Sequence, residues 1–130
     1  MASALKRPSS AWVLAAALAA YVVCDVLLTP VARVETRPVS GVTSIGLGTL
    51  GMLFVGLALA IVSLVLLFRR SRRTSTVAIV AAVLIFPAVI ADQTGHFSSF
   101  RPPAAIGAIE LVQAAAALIV IGAALLTSRR

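Results

Sequence analysis

The sequence predicts an all-α fold: an integral membrane four-helix bundle forming a single transmembrane domain over residues 1–130, with both termini cytoplasmic. Three observations predict it. First, 61% of the 130 residues are hydrophobic and only 12% are charged. A soluble globular domain carries roughly 45–50% apolar and about 25% charged residues. So few charges do not cover a water-facing surface, and a mean hydropathy of +1.10 makes lipid the consistent solvent for most of it. Second, the apolar residues fall in four continuous runs, each near the roughly 17–25 residues that cross a hydrocarbon core. Third, the basic residues cluster between those runs in the manner of membrane topology signals.

The first run covers residues 11–29. Pro30 is expected to stop it, because the residue before a proline disfavours the helical region. Lys6 and Arg7 precede this run, as they would a signal peptide. The run is nevertheless longer than a signal core of about 7–15 residues, and no small-x-small site closes it, so it reads as a retained span. The second run covers residues 44–68. The third covers residues 75–91 and contains Pro87, whose freed carbonyl a neighbouring helix can satisfy. The fourth covers residues 104–127, with Pro102 and Pro103 just ahead of its first turn, where proline is well tolerated. None of the runs alternates, and four strands would be too few to close a barrel, so strands are a poor reading.

Eight of the eleven basic residues stand without an acidic neighbour: Lys6, Arg7, Arg69, Arg70, Arg72, Arg73, Arg129 and Arg130. Arg33, Arg37 and Arg101 share their loops with acids. The positive-inside rule therefore places both termini and the Arg69–Arg73 loop in the cytoplasm. Arg69, Arg70, Arg72 and Arg73 are also expected to meet anionic lipid headgroups. The net charge of +7 does not imply nucleic acid, which needs a basic stripe on a soluble face. A bias to alanine, valine and arginine, with the single lysine Lys6, reads as a GC-rich bacterial genome, and the expected location is the cell inner (plasma) membrane.

Helices in lipid associate by close packing, which small residues permit. In the second run Ser44, Gly48, Gly51 and Ala58 share a narrow arc, widened by Gly46 and Gly56. In the fourth, Gly107, Ala114, Ala117 and Ala124 line one face. Both faces are expected to point into the bundle.

The chemistry is concentrated on one side. By this topology Asp25, Glu35, Asp92, His96 and Glu110 all lie on the outer side or in the outer half of the membrane. Asp25 and Glu110 are embedded on the order of 5–10 Å below the outer helix ends and could meet at one depth. Gln113 shares a face with Glu110, and Tyr21 one with Asp25. Together Asp25, Glu110, Gln113 and Tyr21 are expected to line an outer polar pocket, with Asp92, His96 and Arg101 as further ligand or proton-site candidates. An ionisable residue inside a membrane marks a functional site by default. The structural alternative is an interfacial hydrogen bond or an ion pair with Arg33, Arg37 or Arg101, and the sequence leaves both open.

Asp92 and His96 are four apart and could join Glu110 in a metal site only if the third helix ran past Gly95, which is expected to end it. No metal and no cofactor is expected. Ser98 or Ser99 with His96 and Asp92 has no diagnostic spacing, and no catalytic residue is assigned. Cys24 lies alone in an apolar run and reads as a small buried hydrophobe. In the segment 92–103, Phe97 and Phe100 read as headgroup-level aromatics or as parts of a short lid.

The order of features resembles the small four-helix membrane proteins called DoxX-like. The features that carry the likeness are Thr29–Pro30 after a first helix, glycines from Gly46 to Gly56 in the second, and the basic turn Arg69–Arg73. A glycine-containing segment from Gly95 to Pro103 then precedes Glu110–Leu111 in the last helix. The resemblance implies the same bundle and no particular activity. Of the chemistry behind the family's name, quinone-linked thiosulfate oxidation, the chain carries neither a cysteine pair nor a haem-ligand pair.

The leading functional expectation is a non-enzymatic membrane subunit or a small-ligand or lipid binder with an outer-side polar pocket. A proton-coupled small transporter acting as an oligomer is one alternative. An outer-leaflet enzyme acting on lipid or quinone, with His96 as its acid or base, is another. The expected partners are membrane lipids, together with a partner membrane protein or further copies of the chain, and not nucleic acid.

Overall fold

The computed structural model describes residues 8–29 and 32–128. Four long α-helices make up nearly all of them: α1 Pro8–Leu28, α2 Ser44–Phe68, α3 Thr74–Gln93 and α4 Ala104–Ser128. A 3-10 turn, Val39–Gly41, precedes α2. Each α-helix is long and apolar enough to cross a membrane. Pro30 and the terminal cations Lys6, Arg7, Arg129 and Arg130 lie outside the described residues.

The helices run up and down in a ring. Each packs on its neighbour in the chain, and α1 closes the ring against α4. One end of the bundle holds the start of α1, the Arg69–Arg73 turn and the end of α4 (the termini end). The other holds the 29–43 and 94–103 connections (the loop end). The core is a column of small and branched side chains: Leu14 and Leu18 from α1, Leu53 and Ala60 from α2, Ile85 from α3 and Val120 from α4. Outward faces are as apolar as the core, with Val23, Leu47, Ile90 and Leu118 among the large exposed side chains. A face of that kind has no partner in water.

The helix ends follow from local chemistry. Thr43 caps α2, its hydroxyl accepting from the Gly46 amide at 3.0 Å. Gly95 takes φ +80° and ends α3 in a left-handed turn, with the His96 amide donating to the Ala91 carbonyl at 2.7 Å. The α2 terminus closes in the same way, Ser71 N–H to Leu66 carbonyl at 2.9 Å, but there the left-handed residue is Arg70, at φ 55°. Pro87 sits inside α3 without ending it.

The buried face of α2 differs from the expected one. Ser44, Gly48, Gly51 and Ala58 are exposed, and a Cβ added at Gly48 or Gly51 would meet nothing. The face that packs is Gly46, Thr49, Leu53, Gly56, Ala60 and Ser63, a spacing of threes and fours that forms a continuous stripe. Lipid and protein interior are equally apolar, so the densest arc of small residues need not point inward. In α4 the expectation holds for Ala117 and Ala124, which are buried, while Gly107 and Ala114 are half-buried.

Gly56 shows what the stripe does. It leaves room for Tyr21, whose hydroxyl crosses from α1 to donate to the Ala81 carbonyl of α3 at 2.8 Å. A Cβ at Gly56 would stand 2.7 Å from that hydroxyl. Tyr21→Phe should therefore cost about 1 kcal/mol of stability for the lost hydrogen bond. Gly56→Ala should cost more than that in the native background and clearly less once the Tyr21 hydroxyl is gone. A double-mutant cycle by unfolding in mixed micelles reads this coupling.

Candidate functional site

At the loop end two connections are stitched together. The Thr43 amide donates to the Phe97 carbonyl at 3.0 Å, and the Ser99 amide to the Gly41 carbonyl at 2.9 Å. Val42 and Ser98 form an antiparallel bridge, and the Thr43 hydroxyl donates to the His96 carbonyl at 2.5 Å. This clasp holds the 94–103 connection over the helix ends and places Phe97 beneath Arg37, whose guanidinium lies 5.3 Å from the ring centre.

Arg37 is the hub of the site. Its Nη1 and Nη2 donate to both carboxylate oxygens of Asp92, at 2.6 and 2.9 Å. Its Nε and Nη2 donate to Glu35, at 2.8 and 2.6 Å, and its backbone amide also donates to Glu35 Oε1 at 3.0 Å. Forked pairing of this kind matches the planar guanidinium to two carboxylates at once. Burial alone would raise the Glu35 carboxyl, but the hydrogen bonds and charge of Arg37 outweigh it and hold the group below its ordinary value. The same bonds, led by those to Glu35, hold the Arg37 guanidinium above its ordinary value against burial.

Glu110 adjoins this pair from α4. It is 5% exposed and lies beside Asp92. Gln93 Nε2 donates to its Oε1 at 3.2 Å and approaches the Gly107 carbonyl at 3.4 Å. Three carboxyl groups thus surround a single guanidinium. A cavity of about 510 Å³ opens beside them, with Asp92, Gln93, Ser98 and Arg101 among its lining.

A second polar group lies one helical turn deeper. Asp25 and Gln113 are both 0% exposed. Gln113 faces the Asp25 carboxyl, but its Nε2 donates to the Tyr21 backbone carbonyl at 3.3 Å. Both carboxyl oxygens of Asp25 and the Oε1 of Gln113 have no hydrogen-bond partner among the described residues. Three buried acceptors are thus unpaired, which is rare because an unpaired buried polar atom costs roughly 1–3 kcal/mol. Cys24 is buried next to them in the chain.

The structure sorts the sequence candidates into three groups. Asp25, Gln113 and Tyr21 come together in the deep group, and Asp92 and Glu110 in the upper one. His96 and Arg101 are exposed; Arg101 lines the cavity beside the upper group, and His96 joins neither. The four side chains expected to line an outer pocket, Asp25, Glu110, Gln113 and Tyr21, are buried, and the open cavity lies beside Asp92 and Arg101. Asp25 pairs with none of the three candidate arginines, and the ion pairs of Arg37 go to Glu35 and Asp92. His96 Nδ1 lies 2.9 Å from the Thr94 hydroxyl, while Ser98 accepts from the Phe100 amide at 3.2 Å. Among the described residues no three His, Cys, Asp or Glu side chains are placed to hold a metal ion. Sequence reasoning did not single out Glu35, Arg37 and Gln93 as site residues. Their signal was the placement of an acid and a base two apart in a loop, and of an amide next to Asp92.

Compared with protein-family models, with curated proteins and with solved structures, the chain gives no match.

Proposed function

We propose that the chain is a non-enzymatic multi-pass protein of a bacterial inner (plasma) membrane, with both termini cytoplasmic, that binds a proton or a small donor-bearing ligand in the outer half of its bundle. Membrane residence is supported by outward faces as apolar as the core on all four helices. The orientation is supported by charge: Arg69, Arg70, Arg72 and Arg73 stand at the termini end, and Glu35, Asp92 and Glu110 at the loop end.

One observation carries the binding reading. Asp25 and Gln113 adjoin in the bundle interior, both 0% exposed, and both carboxyl oxygens of Asp25 and the Oε1 of Gln113 have no hydrogen-bond partner among the described residues. A proton on Asp25 gives that group a donor, and so does a guest bearing an O–H or N–H. A binder fits better than an enzyme because the sole histidine stands apart from both carboxyl groups, exposed and bonded to Thr94.

The test uses the whole chain in mild detergent, with Asp25→Asn as the near-isosteric variant. Infrared difference spectra between wild type and variant at neutral pH read the protonated-carboxyl stretch. Native mass spectrometry reads any bound small molecule. A carboxyl band, or a bound mass, present in the wild type and absent in Asp25→Asn supports the reading. Identical spectra and identical masses would make Asp25 a structural residue.

A further inference from the structure

The termini end holds a cavity of a different kind, about 630 Å³ in volume. Its apolar wall is Trp12 from α1 with Leu67 and Phe68 from α2, and its polar floor includes Arg70, Arg72 and Ser75. Trp12 and Phe68 are largely exposed on the outside of the bundle, so the apolar side of the cavity is continuous with the surface that faces lipid.

The floor is the start of α3. Arg73 precedes that helix without supplying a side-chain cap. The Thr74 amide reaches the Ser71 carbonyl at 3.4 Å and the Val77 amide the Arg73 carbonyl at 3.0 Å. The amides of Ser75 and Thr76, between them, have no partner among the described residues. An uncapped helix start with free amides attracts anions. Ser75 adds an independent sign. Its side chain lines the cavity, the residue is only 7% exposed, and its hydroxyl has no hydrogen-bond partner among the described residues.

The cations agree. Both ion pairs of the described residues lie at the loop end, and Arg70 and Arg72 enter neither. Arg70 is held at φ 55°, the left-handed region that L side chains rarely adopt. The turn thus keeps an arginine at the cavity where its backbone would favour glycine.

We propose that this cavity binds the phosphate headgroup of one anionic phospholipid, with its acyl chains laid against Trp12, Leu67 and Phe68. The phosphate oxygens accept from the Ser75 hydroxyl, the amides at the start of α3 and the guanidinium groups of Arg70 and Arg72. Aromatic residues at headgroup depth suit the boundary between phosphate and chain. The cytoplasmic leaflet, where the proposed orientation puts this end, is the one rich in anionic lipid. The inference rests on the membrane reading but not on the deep Asp25 site.

Trp12 is the single tryptophan of the chain, so its fluorescence reports on the cavity directly. The full chain is reconstituted into phosphatidylcholine vesicles, and insertion is checked by flotation and alkaline extraction. Brominated phosphatidylglycerol or brominated phosphatidylcholine is then titrated at low mole fraction, and quenching is read. Phosphatidylglycerol is expected to quench at roughly tenfold lower mole fraction than phosphatidylcholine, with the preference lost in Arg70→Gln/Arg72→Gln. The control is Arg69→Gln/Arg73→Gln, which removes equal charge from side chains that do not line the cavity, and it should keep most of the preference.

Equal quenching by the two lipids in the wild type would overturn the proposal. So would a preference lowered as much by the Arg69/Arg73 pair as by the Arg70/Arg72 pair, which would mean diffuse surface charge. Displacement of the lipid by an equal concentration of soluble glycerol phosphate would overturn the lipid assignment in favour of a free phosphate ligand. Failure of the chain to float with vesicles would instead overturn the membrane reading, and is seen before any quenching is measured.

Discussion

Arg37→Ala is expected to be among the most destabilising single substitutions in the protein, by about 3–5 kcal/mol, the range for removing one partner of a buried ion pair. The reason is what it leaves behind. The Arg37 side chain is 7% exposed, and its partners Asp92 and Glu35 are 4% and 17% exposed. Without the guanidinium, Asp92 and Glu35 lose the one cation that pairs with them among the described residues, and Glu110 adds a third carboxyl beside Asp92. Arg37→Lys should recover only part of the loss, because an ammonium cannot serve both carboxylates with a fork. Unfolding by SDS titration in mixed micelles checks both. A loss under about 1 kcal/mol for Arg37→Ala would show that the carboxylates find water.

Acid should erase part of that difference. The Glu35 carboxyl is held below its ordinary value in the folded state, and the unfolded value is about 4.3. A depressed folded pKa contributes stability that is present above the unfolded value and lost as pH falls through the folded one. The gap between wild type and Arg37→Ala should therefore be full at pH 6–7 by this argument and narrow from about pH 4 downward. Glu35→Gln should flatten that part of the wild-type curve. A gap independent of pH would show that the Glu35 pair contributes nothing to folding.

How far the sequence discloses this molecule depends on which kind of signal is asked for. The helices are readable because each is a continuous apolar run bounded by a turn that glycine, proline or arginine marks, and Gly95 ends α3 as its residue type predicts. Asp25, Glu110 and Gln113 are readable because a polar group in an apolar run is expensive and therefore conspicuous. The phase of α2 is another matter. Its residues are apolar on every side, so periodicity carries no direction, and the dense arc of Gly48 and Gly51 misleads. The hydroxyls Thr49 and Ser63 mark the buried face correctly; each donates back to its own helix, at 3.0 and 2.8 Å. The choice of Asp92 over Asp25 by Arg37 is set by the path of the 29–43 connection, which has no repeat for a sequence reading to use.

The clasp at the loop end yields the sharpest contrast between neighbouring glycines. A Cβ at Gly46 would fall on the Phe97 carbonyl oxygen and within 2.9 Å of Val42 Cγ1. The carbonyl belongs to the backbone and already accepts from the Thr43 amide at 3.0 Å and the Thr43 hydroxyl at 3.1 Å. It cannot turn aside as a side chain would, so Gly46→Ala must push the 94–103 connection off α2. Overpacking of this kind costs about 1–3 kcal/mol, and losing the Thr43 cap adds about 1 kcal/mol more. Since Phe97 lies under Arg37, the damage should reach the ion-pair hub and make Gly46→Ala and Arg37→Ala less than additive. Gly48→Ala and Gly51→Ala, about half a turn and nearly one and a half turns further along, meet open space. They should leave stability unchanged or raise it by about 0.5–1 kcal/mol, because alanine orders more readily in a helix. Measured side by side in micelles, the three variants separate the clasp from helix propensity. Equal effects at Gly46 and Gly48 would mean that the two loop-end connections are not held together in solution.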